Sequence, residues 1–516
     1  MIASETLPQE FNVATYFVDR NVAEGRGSRP AFLCEDRVLT YADVQDLANR
    51  TGNALRELGV GPEDRVWMCC LDTPEFVGTF WGAIKMGAVP IPTNTLMRTA
   101  DYVYFLRDSR AKVAVVSAPL LAEVGPALGQ SPYLRHVLVA GGPAAGHLSW
   151  EEQVAKASPR LEAAVTSRDD AAFWLYSSGS TGFPKGAVHL HHDMVVCQET
   201  YAKQVLGLRE TDRVYSAAKL FFAYGLGNAG YFPMGVGGQS VLYPHRPTPE
   251  SVFEVLTRHR PTIFFGIPTL YASMLAVKDA DKRFDLSALR LCVSAGEALP
   301  DELYKRWRDR FGVEILDGIG TTEILHIFLS NRPGAAKPGS TGQAVPGYDA
   351  ILVDDEGRPV PRGEIGNLRV RGDSTMAYYW NKHDKTKETL FGAWIQTGDK
   401  YHQDEDGFFW YAGRADDMLK VGGIWVSPIE VEATLIRHPA VLEAAVVGKE
   451  DTDRLVKPKA YVVLKEPAAG GAGLADELKS FVKDKIAPYK YPRWIDFVAE
   501  LPKTATGKIQ RFKLRD

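Results

Sequence analysis

At 516 residues, 45% hydrophobic and 24% charged, the chain has the make-up of an ordinary soluble globular protein and enough length for two or three domains. A formal net charge of -4 argues against a nucleic-acid partner, which selects for a basic excess or stripe. The 5 cysteines, Cys34, Cys69, Cys70, Cys197 and Cys292, lack metal-binding spacing and read as small buried residues of a reducing cytoplasm.

The first residues carry no basic region and no apolar core, so no signal peptide is expected. Thr40 is placed to cap a helix running to Gly59, with Val44, Leu47, Ala48, Leu55 and Leu58 at helical spacing. Val66–Leu71 reads as a buried strand, then a helix through Phe76, Phe80 and Ile84, then extended chain at Ala88–Pro92. Lys85 and the prolines interrupt that apolar stretch, which rules it out as a membrane span. Val113–Val116 and Val137–Val139 are further short strands. Strands alternating with helices predict an α/β fold, a parallel-rich sheet with helices on both faces.

The apolar run Ala171–Tyr176 leads into Ser177-Ser178-Gly179-Ser180-Thr181-Gly182-Phe183-Pro184-Lys185-Gly186. Glycines let backbone N–H groups approach an anion, hydroxyls add donors, and Lys185 adds a cation, so this loop suits phosphate. Gly-Lys-Ser/Thr opening a helix is absent, so it is not the common P-loop; Lys185 is expected on a turn before Ala187-Val188. Further strands, Pro261–Gly266, Leu289–Ser294 and Gly312–Leu316, end in polar turns. Two of those turns, Ala295-Gly296-Glu297-Ala298 and Asp317-Gly318-Ile319-Gly320-Thr321-Thr322-Glu323, are expected to face one crevice with the glycine-serine loop. Glu323 beside a triphosphate suits Mg²⁺, which takes one or two carboxylates plus phosphate oxygens.

From about residue 340 the pattern becomes β-rich until Gly413-Arg414, and the last hundred or so residues change again into a small α+β unit. A helix is expected over Ile429–Ile436, strands over Ala444–Val447 and Ala460–Leu464, and a helix over Leu474–Ile486. His189, His191 and His192 have no further ligand nearby and do not read as a metal site.

The loop from Tyr176 to Gly186 resembles the signature of the adenylate-forming enzymes, the acyl- and aryl-CoA synthetases among them. Two further stretches extend the resemblance over essentially the whole chain: Gly413-Arg414-Ala415-Asp416-Asp417 through Glu432, and Pro502-Lys503-Thr504-Ala505-Thr506-Gly507-Lys508. It implies a large N-terminal domain, residues 1–415 with a β-rich subdomain from about 340, and a mobile C-terminal lid, residues 416–516. Carried over residue by residue, it assigns ATP to Ser177, Ser178, Gly179, Ser180, Thr181, Gly182, Lys185, Gly296, Glu297, Ala298, Asp317, Gly318, Thr322, Asp399 and Arg414. Asp399 would accept from the ribose hydroxyls. Lys508, Thr181 and Glu323 become catalytic, Glu323 also serving Mg²⁺. Asp416 becomes the hinge, with Lys420, Gly422 and Gly423 serving coenzyme A. Ile319 stands where the family usually has Tyr, so the family's adenine-stacking ring is not carried over.

The acid pocket is expected at Ala223, Tyr224, Gly320, His326 and Ile327, an apolar slot suited to a flat ring and lacking an acidic partner for an α-ammonium group. Phe221-Phe222-Ala223-Tyr224-Gly225-Leu226-Gly227-Asn228 and the segment from Asp317 to Ile327 look most like the benzoate-CoA ligase branch, 2-aminobenzoate ligases included. This implies an aryl-CoA ligase using ATP, Mg²⁺ and coenzyme A through an acyl-AMP, with no membrane partner. The same motifs would serve an enzyme that loads an acyl carrier protein, and a homodimer remains open.

Overall fold

The structure, a computed structural model, describes residues 3–179, 182–415, 417–421, 424–452, 455–466, 470–503 and 509–515. It is an α/β protein with a large parallel-rich body and a small C-terminal unit.

Near the N-terminus, Thr40 closes a capping box with Asp43 and starts the helix Tyr41–Glu57. Such a cap contributes about 1 kcal/mol. That helix packs its Val44, Ala48 and Leu55 face into the main core. The strand Arg65–Cys69 pairs in parallel with Val89–Pro92 and Val113–Ser117, which in turn pairs with His136–Ala140. The intervening helix Pro74–Lys85 is buried along its whole length. Among the described residues no helix is long and apolar enough to cross a membrane. All 5 cysteines are buried and free.

A second sheet of 9 strands carries the centre of the body. Its parallel strands lie in the order Ile315–Gly320, Leu291–Ser294, Ile263–Gly266, Arg213–Ser216, Gln239–Leu242 and Pro30–Cys34, with antiparallel strands at both edges. The strand expected from Gly312 begins instead at Ile315 and runs through the Asp-Gly-Ile-Gly turn to Gly320. Gly312 ends the helix Asp301–Phe311 in the left-handed region at φ 71, where a residue without Cβ is favoured.

The glycine-serine segment departs from the parallel pattern. Ala171–Gly179 and Gly182–Leu190 form an antiparallel hairpin, and Tyr378–Tyr379 joins as its third strand. Lys185 therefore lies within a strand, opposite Ser177, and not on the turn expected for it. Successive residues of the hairpin face two cores, Leu175 and Ala187 packing on the main one, Trp174 and Val188 on another where Trp174 meets Trp380 at 4.4 Å.

The β-rich region is a sheet built on Asp349–Val353, Gly366–Arg371, Trp394–Gln403 and Phe409–Arg414. The C-terminal unit packs helices Pro428–Ile436 and Ala472–Lys485 against strands Val441–Glu450, Val456–Leu464 and Trp494–Phe497. Its own core, with Val431, Leu435, Val446, Val462 and Leu478 fully buried, is separate from those of the body.

Candidate active site

The hairpin brings Lys185 toward Glu323, 138 residues further along the chain. Tyr379 stands between them. Its hydroxyl donates to Glu323 Oε1 at 2.6 Å, while Lys185 Nζ donates to that hydroxyl at 3.5 Å and lies 4.7 Å from the ring centre. Burial lowers the Lys185 ammonium below its usual range, and the Glu323 carboxylate pulls it back. Glu323 sits on a single helical turn, Thr322–Ile324, capped by the Thr321 hydroxyl, which accepts from Ile324 N at 3.2 Å. His189 fixes this turn from behind: its Nδ1 lies 2.7 Å from Asp193 and its Nε2 2.7 Å from the Thr322 carbonyl. His191 Nδ1 accepts from Val13 N, and burial lowers its imidazole to about 4. His192 bonds the carbonyls of Arg168 and Asp373. The three histidines thus hold backbone.

Asp317, expected from the resemblance on the nucleotide side, is buried. It lies opposite Ser294 in the parallel register, and Leu299 N–H reaches its Oδ2 at 3.4 Å, so the Gly296-Glu297-Ala298 turn folds beside it. Burial raises the Asp317 carboxyl well above the usual carboxylate range. Gly318 and Gly320 are needed for close approach: a Cβ would lie 2.9 Å from the Leu329 carbonyl and 2.6 Å from that of His326.

In the β-rich sheet Asp399 pairs with Arg414 across two antiparallel strands, and Arg414 Nη1 donates to Asp399 Oδ1 and to the Thr397 carbonyl, both at 3.1 Å. Gly398, at φ 77, sits in the strand just before Asp399, where the pairing with the strand Gly366–Arg371 shifts register.

The acid side is of different character. Ala223 and Tyr224 start a short helical turn, and the Tyr224 hydroxyl reaches the carbonyls of Gly266 and Val293 at 3.3 and 3.4 Å. His326 is buried against Tyr201, Tyr224 and Phe232, with ring centres 5.2, 5.8 and 4.5 Å away. Its Nε2 donates to the Tyr224 carbonyl at 3.4 Å, and its Nδ1 meets no partner among the described residues. Burial lowers the His326 imidazole to about 3, so it is neutral. Ile327 lies beside it on the strand Ile327–Ser330. Leu325, between Glu323 and His326, adopts φ 70 and ψ -40, a strained conformation for a leucine. That turn separates the surroundings of Glu323 and His326, only three residues apart.

Ser178 and Gly179 end the first hairpin strand and Gly182 begins the second. Lys420 lies in the strand Leu419–Val421. Ser180, Thr181, Asp416, Gly422, Gly423 and Lys508 lie outside the described residues. Flanking Lys508, Lys503 pairs with Ile509 and Gln510 N donates to the Pro502 carbonyl at 2.8 Å. Arg511 holds Glu432 through two nitrogen contacts to its carboxylate, at 2.7 Å to Oε2 and 3.1 Å to Oε1. Tyr379 is not singled out by the sequence, and His189 is weighed there only as a metal ligand, not as the residue that holds the Thr322 carbonyl. The aromatic run Tyr378-Tyr379-Trp380 was the available signal for the first, but its partner strand lies about two hundred residues away.

The chain is 55% identical over 511 residues to a benzoate–CoA ligase of Thauera aromatica, covering 99% of this chain and 96% of that protein. It is 47% identical to an anthranilate CoA ligase solved in complex with anthranoyl-AMP, at a TM-score of 0.95, covering 100% and 98% of the two chains. A benzoate CoA ligase from Burkholderia xenovorans LB400 matches at 49% identity and a TM-score of 0.91, covering 98% and 100%. Residues 19–380 match the family described as AMP-binding enzyme, and residues 430–508 match the AMP-binding enzyme C-terminal domain. The chain belongs to the AMP-binding enzyme family.

Proposed function

We propose that this chain is an ATP-dependent aryl-CoA ligase for a benzoate-type acid, benzoate or 2-aminobenzoate. The observation that carries this reading is the joining of two unlike surfaces. A charged wall of Lys185, Glu323, Asp399 and Arg414 suits a nucleotide, and a buried neutral slot at Ala223, Tyr224, His326 and Ile327 suits an aromatic ring. The identity to benzoate– and anthranilate–CoA ligases over nearly the full chain supports the choice of acid. Those relatives are named for CoA, which supports free CoA over a carrier protein as the thiol.

The acid carboxylate attacks the α-phosphorus of ATP. The bond to the pyrophosphate oxygen breaks, giving acyl-AMP and pyrophosphate. The CoA thiolate then attacks the acyl carbon, forming the thioester and releasing AMP. Asp399 accepts from the ribose hydroxyls, and Arg414 holds that carboxylate in place. Lys185 and the hairpin hydroxyls offset phosphate charge. Glu323, an oxygen donor beside the hairpin, fits the hard-cation preference of Mg²⁺, which would neutralise the triphosphate when bound. Lys508 bridges the acid carboxylate and α-phosphate during the first step, as a mobile point charge on the 416–516 lid, which pivots at Asp416 against the 1–415 body. Lys420, Gly422 and Gly423 serve the second step.

Acid-dependent exchange of labelled pyrophosphate into ATP, followed by AMP release on adding CoA, tests this reading. It predicts both with benzoate or 2-aminobenzoate. Absence of exchange with either acid would refute it.

A further inference from the structure

Lys185 and Glu323 carry opposite charges on adjoining elements, yet no direct ion pair joins them among the described residues. Between them stands the Tyr379 hydroxyl, accepting from one and donating to the other. We propose that Tyr379 is a positioning residue for the phosphate and cation end of the site, a spacer that keeps Lys185 and Glu323 apart and aimed. This inference rests on the ligase reading above.

Tyr379 is rigidly placed for that task. It is 3% exposed. Its strand is hydrogen-bonded to the phosphate hairpin, Tyr379 facing Ala187 and Trp380 N donating to the Gly186 carbonyl at 2.8 Å. The same strand is tied to the Glu323 turn, because Met376 N donates to the Glu323 carbonyl at 2.8 Å. Tyr379 N is further held by the Thr386 hydroxyl at 3.0 Å. Backbone bonds thus fix the ring relative to both charges before any ligand arrives.

The physical reason for a spacer is specific. A lysine and a glutamate that close on one another neutralise each other, and each is then lost to its ligand. A phenol hydroxyl between them satisfies one carboxylate oxygen and one ammonium proton. It leaves the lysine its other donors for phosphate and the carboxylate its remaining acceptor capacity. The ring adds a face on which the ammonium rests at 4.7 Å.

Tyr379→Phe keeps the ring and deletes the hydroxyl. In the full-length protein it is expected to weaken ATP binding in the presence of Mg²⁺, measured by calorimetry without the acid, by about tenfold, the size of one hydrogen bond to a charged group. The Mg²⁺ concentration for half-maximal pyrophosphate exchange rises in parallel, while the KM for the acid stays within twofold. Tyr378→Phe, one residue away and exposed, changes none of these. In a Glu323→Gln background the effect of Tyr379→Phe shrinks to twofold or less, because the hydroxyl acts through the carboxylate. Equal ATP affinity and Mg²⁺ requirement in Tyr379→Phe and the native protein would overturn the proposal, as would an undiminished effect in the Glu323→Gln background. A native protein with no acid-dependent exchange is a separate outcome: it refutes the ligase reading itself.

Discussion

The proposed nucleotide wall and the proposed acid wall meet at the turn between Gly320 and Ile327, and they handle polarity in opposite ways. On the nucleotide wall, charges are kept and paired: Asp399 with Arg414, Glu323 and Lys185 through Tyr379. On the acid wall charge is suppressed: burial holds His326 neutral and lifts the Tyr224 phenol far above its usual range. The difference follows from the ligands each wall would take. Phosphates and ribose hydroxyls need charges and acceptors ready, and a flat ring needs desolvated surface. Leu325 marks the boundary, and its strained backbone turns the chain from one wall to the other over three residues.

Lys508→Ala addresses the proposed step that joins the acid to the nucleotide and has the largest expected effect. Pyrophosphate exchange should fall about a hundred- to a thousandfold, the scale of losing one preorganised charge in a transition state. Thioester formation from supplied acyl-AMP should stay within a few-fold. Equal loss of both half-reactions would argue against separate conformations of the lid. Asp399→Asn comes next and addresses one wall only. The KM for ATP should rise about ten- to a hundredfold as a charged acceptor is lost, with the acid KM unchanged. Its mirror image is Gly227→Ala, since a Cβ at Gly227 would lie 2.4 Å from His326 Cδ2. Displacing that ring should raise the acid KM about tenfold and leave ATP binding alone. If either variant altered both constants equally, the division into two walls would be wrong.

Smaller effects sharpen the contrast. Burial holds the His326 imidazole at about 3 in the folded chain, below its ordinary 6.5. Between those values the unfolded chain holds a proton that the folded chain does not, so stability falls as pH drops through this window and is unaffected above it. His326→Leu should flatten the slope of unfolding free energy between about pH 6.5 and 4 by up to one proton, about 1.4 kcal/mol per pH unit. An unchanged slope would mean that this imidazole is not held neutral by burial. Smallest of all is Arg437→Gln, at a residue to which no ligand contact is assigned. Arg437 meets Asp301 at 3.3 Å on a half-exposed surface between the C-terminal unit and the body. Its loss should shift the melting free energy by under about 1 kcal/mol and leave both KM values alone.

Much of this was legible in the sequence because its signals are local. Thr40 with Asp43 announces a helix start, and Val113–Val116 and Ile263–Gly266 announce buried strands. The polar turn at Gly296 follows a parallel strand, as the sheet rule expects, whereas Asp317 lies inside its own strand. What local pattern could not give was pairing at a distance. The hairpin was misjudged because an apolar strand before a glycine loop looks alike whether a helix or a second strand follows. Tyr379 was missed because its meaning comes from Ala187 and Glu323, residues its own neighbourhood does not hint at. Helix Thr99–Ser109 also went unread, its buried residues Tyr102, Phe105 and Leu106 being too few to dominate a charged stretch.

The most direct measurement is a crystal structure of the protein with a non-hydrolysable analogue of benzoyl-adenylate. Our account predicts the ribose hydroxyls on Asp399, the phosphate beside the Ser177–Lys185 hairpin, and the aromatic ring between Tyr224 and His326. A bound analogue with its sugar away from Asp399, or its ring outside that slot, would contradict it.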